Sequence, residues 1–486
     1  MEAKKEITAP PAISSTEPLN KSVFSAFMWE VAFVQGLASI TAGIFFTGYL
    51  CFLGASNKEI GWITSIPLFA SLAAPFFSYF IDRAKNRKNL YFKALLPGRL
   101  LWFAVAAVPV LFHYKLISAP LLVFSACYLV MSVFSTHSVI TWTSWMGDLI
   151  PWDRRGHYFG LRTTVSNISA IIIYLMAGWY IDKWKPINES IGFSSLFFAA
   201  AVFGVIAYFV QKRLPEVPRA IKPDERASVF DVTKKLLEIM KNRNFMRLAM
   251  FNTTWAFVIG LTAVYQTVFL IRVVKLEYKY ITLFIVLEVL VRLLITKFWG
   301  KMMDKHGYKP IMLICGRFIG LIPFFFIFVG WSYWMLIPLY LISGTFWPGI
   351  GVAQFNIMFR LTPKQDRAAY LAFNTILTSS VAFIGPVVGG YLVDWMGGFS
   401  LKIFFLDIGA FQLLFLAGAM LRGLPLFILN KVEENKEDPV DEVMIEVRST
   451  IAAGFLEGLL TLRDYMLIPV KKAGDIIENI YHNPRE

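Results

Sequence analysis

Charged side chains inside long apolar runs are the first residues to weigh. Glu30 lies in such a run near the start of the chain, and Glu288 and Arg292 lie in another. The last two are four residues apart, so on a helix they share a face. A charge at mid-bilayer costs at least ~2.5–3.5 kcal/mol, so it normally faces an interior and serves a purpose there. A carboxyl in apolar surroundings can exchange a proton near neutral pH. Glu30 and Glu288 are therefore candidate proton carriers. Arg292 is a partner for Glu288 or a ligand for a charged solute group. Competing readings are a neutral structural pair for Glu288 and Arg292, and a reach toward water or Lys21 for Glu30. Asp407, close to the end of the last run, reads as reaching water.

Polar and aromatic side chains recur at helical spacing in three further runs. His137, Thr141, Ser144 and Asp148 share one face, with Trp142 and Trp145 beside them. Asn252, Trp255, Thr262 and Gln266 share another, and so do Gly344, Trp347, Gly351 and Gln354. Gln35 adds a polar group to the first run. Walls of this kind suit a moderately large, amphipathic or ring-containing solute.

These residues need apolar helices to hold them. Hydrophobic residues make up 57% of the chain and charged residues 16%, against about a quarter charged in soluble domains. A helix crossing a bilayer needs about 20 apolar residues. That ruler predicts twelve spans, at 23–53, 59–81, 94–112, 118–142, 158–181, 193–212, 245–271, 279–299, 310–330, 332–358, 368–393 and 401–429. Residues 1–21 read as a disordered cytosolic tail without a signal-peptide core, and 22–212 as a first six-helix bundle. Residues 213–244 read as a charged, proline-bearing linker with a short helix near 227–241, and 245–430 as a second bundle. Residues 431–486 read as a cytosolic tail with an amphipathic helix that lies on the membrane or the bundle, or binds a partner.

The formal net charge of +14 does not imply nucleic acid, because the basic residues sit in short loops between apolar runs. Loops holding Arg83, Lys85, Arg87, Lys88, Arg154, Arg155, Lys301, Lys305, Lys309, Arg360 and Arg367 form the rich set. The positive-inside rule puts that set, and with it both termini, in the cytosol of a plasma or inner membrane. Arg99 and Arg317 read as interfacial anchors. Cys51, Cys127 and Cys315 all fall in apolar runs and read as packing residues rather than metal ligands. No phosphate-cradling loop and no nucleophile–base set stands out, so neither ATP drive, a cofactor nor enzymatic chemistry is expected.

The two halves repeat. Pro151, Arg155, Tyr158, Gly178 and Asp182 recur as Pro363, Arg367, Tyr370, Gly390 and Asp394, all at an offset of 212. Asp82, Arg83 and Arg87 recur as Asp304, Lys305 and Lys309 at an offset of 222. A repeat of two mostly apolar halves is the mark of a transporter built from two bundles around a central path. The loop Gly300-Lys-Met-Met-Asp304-Lys-His-Gly307-Tyr-Lys309, and its weaker copy at Asp82–Lys88, resembles the loop motif of the major facilitator superfamily. Gly385-Pro-Val-Val-Gly-Gly390 resembles an antiporter signature of that family, although it lies in span 11 rather than span 5.

The resemblance implies an all-α membrane protein of two pseudo-symmetric six-helix bundles, with spans 1, 4, 7 and 10 around a cavity. It implies a secondary transporter, with a proton or other cation as the expected coupling ion. Asp82 and Asp304 are then expected to latch the bundles on the cytosolic side, against the starts of spans 11 and 5. Asp148, Arg155 and Arg367 belong to mirrored gating loops. A lipid flippase on the same fold and a non-transporting membrane assembly or sensor protein are the alternatives.

Overall fold

The computed structural model describes residues 21–82, 84, 86–150, 155–216, 237–363, 366–404, 406–434 and 437–467, which are almost entirely helical. The first crossing is α1 (Lys21–Thr41) and α2 (Gly43–Phe52), bent where Gly43 takes a φ of 59°. The second is α3 (Asn57–Ser71) and α4 (Ala74–Asp82). Next come α5 (Arg87–His113), α6 (Pro120–Leu149) and α7 (Arg155–Lys212). The apolar part of α7 has 55 residues, which would span ~80 Å if straight, against a bilayer core of ~30 Å. It therefore folds back. Pro186 removes a helical amide, Asn188 is extended, and the Asn188 carboxamide accepts the Ile191 amide at 3.2 Å to start the return helix.

The second bundle holds α8 (Arg243–Arg272), α9 (Tyr278–His306), α10 (Tyr308–Val329) and α11 (Leu336–Leu361). Then come α12 (Arg367–Ala382) with α13 (Ile384–Trp395), and α14 (Ala410–Leu421) with α15 (Gly423–Asn430). Among the described residues ten helices are long and apolar enough to cross a membrane. One of these, α7, crosses twice. Counting also α9, which carries Glu288, Arg292 and Lys297, gives twelve crossings.

The expected span 401–429 needs correction. Its first part is a hairpin of β1 (Ser400–Ile403) and β2 (Leu406–Gly409), and the crossing starts at Ala410. Phe404 reverses the chain at a φ of 51°. Lys402 stands opposite Asp407 across the hairpin, and the two charges lie 3.6 Å apart, both exposed. The apolar ruler could not separate these residues from the helix that follows. Most of the linker, including much of the expected helix at 227–241, lies outside the described residues, although 237–240 are helical. Gln211, at the linker's edge in sequence, is buried in the first bundle.

The bundles join along α3 with α13 and along α7 with α9. Glycines permit the approach: a Cβ at Gly390 would overlap the Asn57 carbonyl, and one at Gly178 would overlap Thr282. Four residues after each glycine is an aspartate. The Asp182 carboxylate accepts the amides of Tyr278 and Lys279 at 2.9 and 2.7 Å, the first two of α9. The Asp394 carboxylate accepts the Lys58 amide at 2.9 Å and the Asn57 side-chain amide at 2.8 Å, at the start of α3. The opening amides of a helix have no partner of their own and carry partial positive charge, so each carboxylate both fills and neutralises them. Arg272 donates to Asn57 Oδ1 at 3.2 Å and to the Ala55 carbonyl, and Ser65 Oγ donates to the Phe383 carbonyl at 2.7 Å. All these bonds lie in the half of the molecule nearer the 53–56 and 273–277 loops, the lysine-poor set.

The tail helix α16 (Val440–Leu467) runs antiparallel along α9. Gly454 seats on Phe298, and Gly458 on the Leu294 backbone. Glu446 pairs with Lys305 at 2.6 Å, and Glu457 with Lys301 at 2.7 Å and Lys297 at 3.2 Å. Just before α16, the buried Glu434 accepts the Tyr308 and Lys309 amides at 2.9 Å and is paired with Arg360.

Removing the caps tests the closed end. An N-cap side chain replaced by alanine costs ~0.5–2 kcal/mol, so Asp182→Ala and Asp394→Ala should each raise the open population at that end roughly two- to thirtyfold. Spin labels at Lys185→Cys and Gly398→Cys, read by electron–electron distances, should show a longer-distance population. Unchanged distances would show that the caps do not hold the bundles together. Tail docking should also depend on pH. Lysine hydrogen bonds hold the Glu446 and Glu457 carboxyls below the ordinary carboxylate value, Lys305 acting on the first and Lys301 with Lys297 on the second. Their contribution is thus present at neutral pH and is lost as acid protonates them below that range. Hydrogen exchange along α16 should stay slow at pH 6–8 and quicken in strong acid or high salt.

Candidate functional site

In the first bundle Glu30 is buried, 1% exposed, but its surroundings are not the apolar ones expected. Arg162 on α7 donates to its carboxylate at 2.8 Å and Gln211, also on α7, at 2.7 Å. Tyr91 on α5 donates to Gln211 at 2.9 Å. The Arg162 guanidinium lies over the Trp142 ring, 4.5 Å from its centroid. Four crossings, and a tryptophan of a fifth on α6, are thereby tied to one carboxylate. Gln35 bridges α1 and α7 by accepting from Ser166 at 2.6 Å. His137 meets the edge of Phe77 at 5.1 Å, and Thr141 spends its hydroxyl on the His137 carbonyl at 2.8 Å. Arg99 lies mid-way along α5 rather than at its start, so it is not an interfacial anchor.

The second bundle has a different interior. Gln354 donates to Asn252 at 2.8 Å, and Asn252 donates to Asn374 at 2.9 Å, linking α11, α8 and α12. Trp255 is buried and packs edge-on against Trp347 at 6.3 Å. Arg292 donates to Glu288 within α9. This pair, with Trp347, Pro348, Gly351 and Val352, lines a cavity of about 410 Å³. A second cavity of about 240 Å³ shares Glu288 and Trp347 and also holds Gln266, Tyr340 and Arg422.

Of the residues expected to gate, Arg83 lies outside the described residues, as do the side chains of Asp82, Asp148 and Arg155. Arg87 is buried and donates to the Ser144 carbonyl at 3.5 Å. Asp304 is exposed. Lys305 pairs with Glu446, and Lys309 pairs with Glu437 at 3.0 Å, so both lysines serve the tail segment. Arg367 donates to the Phe359 carbonyl at 3.2 Å. Sequence reading missed Arg162, Gln211, Asn374 and Arg422. A charge inside the apolar run 410–429 was available as a signal for Arg422. It saw Asp182 and Asp394 as repeats without a role.

The model of the Major Facilitator Superfamily matches residues 28–295 and 278–463, most of the chain. The chain belongs to the Major Facilitator Superfamily. Its members are secondary transporters, and this one is an integral, multi-pass membrane protein. The Streptococcus pneumoniae multi-drug resistance efflux pump PmrA is 29% identical over 157 residues, 32% of this chain and 37% of the pump. An uncharacterised MFS-type transporter of Bacillus subtilis, YuxJ, is 32% identical over 108 residues, 22% of this chain and 27% of its own. The chain thus matches about a third or less of these superfamily relatives' length. Among solved structures, the nucleoside transporter NupG superposes with a TM-score of 0.64 at 13% identity, over 86% of this chain and 100% of its own. A bacterial homologue of the iron transporter ferroportin gives 0.64 at 14% identity, over 86% and 99%. At such identities these structures support the superfamily fold alone.

The Glu30 cluster can be tested by a double-mutant cycle. Removing one partner of a buried ion pair costs ~3–5 kcal/mol, toward the lower end here because the Arg162 side chain is 21% exposed. Glu30→Gln and Arg162→Gln should each lower the unfolding midpoint in detergent, and the double variant should recover most of the loss. Simply additive losses would show that the pair is not coupled.

Proposed function

We propose that this transporter moves a small amphipathic or ring-containing solute by alternating access, with a proton as the coupling ion. The observation that carries the reading is the shared wall of the 410 Å³ cavity, where a carboxylate, a guanidinium and an indole meet. Small-molecule sites combine apolar walls with a few placed polar groups in this way. Glu288 is the proton-exchange candidate with access to the cavity. Its partner is four residues away on the same helix, so protonation frees Arg292 without moving a second element. Glu30 is the second candidate. Its proton would have to displace Arg162, which makes it a switch for helix contacts.

The positive-inside pattern orients the molecule. On that pattern the capped end would face outward and the basic loops the cytosol. The efflux-pump relative makes export of a ring-containing solute the first direction to test. The tail helix has a partner within the chain, α9, and rides on the second bundle.

Reconstitution tests the coupling. In proteoliposomes Glu288→Gln should abolish the dependence of solute movement on a pH gradient and keep solute counterflow. Gradient dependence that survives Glu288→Gln but is lost in Glu30→Gln would move the role to Glu30. Survival in both would remove the proton from the mechanism.

A further inference from the structure

Arg422 sits at the junction of α14 and α15, 3% exposed, in the interior of the second bundle. Part of its role is structural. Pro323 has no N–H, so the Ile319 carbonyl one turn earlier in α10 loses its helical partner. Arg422 Nη1 donates to that carbonyl at 2.7 Å. The first bundle meets the same need differently: Pro109 frees the Val105 carbonyl of α5, and the Tyr49 hydroxyl donates to it at 2.8 Å. A neutral hydroxyl is enough there. Capping a freed carbonyl therefore explains one hydrogen bond of Arg422 and not its charge.

The rest of the guanidinium is underused. Nη2 donates to Thr262 Oγ1 at 3.1 Å, and Nε is buried without a partner. Among the described residues no carboxylate pairs with it. A buried cation is costly unless paired and hydrogen-bonded. Arg422 lines the 240 Å³ cavity, where Gln266 Nε2 is likewise buried and unpartnered. The one carboxylate on that wall, Glu288, already holds Arg292. The wall of the cavity thus carries one positive charge in excess, and just behind its surface two donor atoms have no partner. Its remaining wall includes Ile322, Phe326, Leu339 and Trp347.

We propose that Arg422 and Gln266 form an anion subsite that receives the carboxylate of a small solute with an apolar or ring-shaped body. The carboxylate accepts from the guanidinium edge and from the Gln266 amide, and the body rests on the aromatic wall. Arginine presents its donors as a fork that matches a carboxylate. This rests on the transport reading above, whose solute it narrows to an organic acid.

Thermal unfolding of the purified full-length protein tests it, with benzoate and neutral benzamide as probes at equal concentration and constant ionic strength. A ligand that binds the folded state raises the midpoint. Benzoate should raise it saturably and benzamide should not. Arg422→Gln, whose amide can still donate toward Ile319, should lose the benzoate shift, and Gln266→Leu should weaken benzoate at least tenfold. If Arg422→Gln does not fold, Gln266→Leu decides. Equal shifts with both probes, or benzoate affinity unchanged in the folded variants, would overturn the subsite. Benzoate binding with no transport in proteoliposomes would refute the transport reading and leave the subsite standing. Transport without charge-selective binding would do the reverse.

Discussion

A helix has four opening amides with no helical partner, and something outside the helix must accept from them. The closed end of this protein is built on that need. The carboxylates that fill the first amides of α3 and α9 come from the opposite bundle, Asp394 for one and Asp182 for the other. Closing the end satisfies both helices, and opening it exposes both. The glycine four residues before each aspartate follows from the same need, because the carboxylate reaches the amides only if the backbones nearly touch. A third start, that of α10, is filled by Glu434 of the tail segment, which fixes the chain leading to the tail helix.

The pseudo-symmetry is therefore one of frame and not of content. Gly178 with Asp182 and Gly390 with Asp394 do equivalent work on equivalent helices. Pro109 and Pro323 each free a carbonyl in the corresponding helices α5 and α10, although at different depths. Between those fixed points the bundles differ. One encloses an ion pair laced to an amide and a phenol around Glu30. The other holds a row of carboxamides and a cavity wall of mixed charge. The two bundles thus share a frame while their interiors are chemically unlike.

The apolar crossings of the fold were legible in hydropathy because the bilayer imposes a length on every span. Where that length was not the governing constraint, sequence reading erred: residues 400–409 are apolar enough for a membrane but turn at Phe404 into a hairpin. Glu30 and Glu288 stood out because a charge in an apolar run is costly. Their surroundings did not, since Arg162 lies 132 residues from Glu30 and Gln211 lies 181 away. The repeat pointed to Asp182 and Asp394, but an offset in sequence does not say which helix start a carboxylate will meet.

Arg162 and Asp182 belong to the same crossing of α7, with no break between them. At 1.5 Å per residue they are about 30 Å apart along its axis, the thickness of a bilayer core. One grips Glu30 within the first bundle, and the other grips the start of α9 in the second. This crossing is thus a strut pinned near both of its ends. A pull on α9 through Asp182 therefore acts on a continuous helix whose other end carries the Glu30 ion pair.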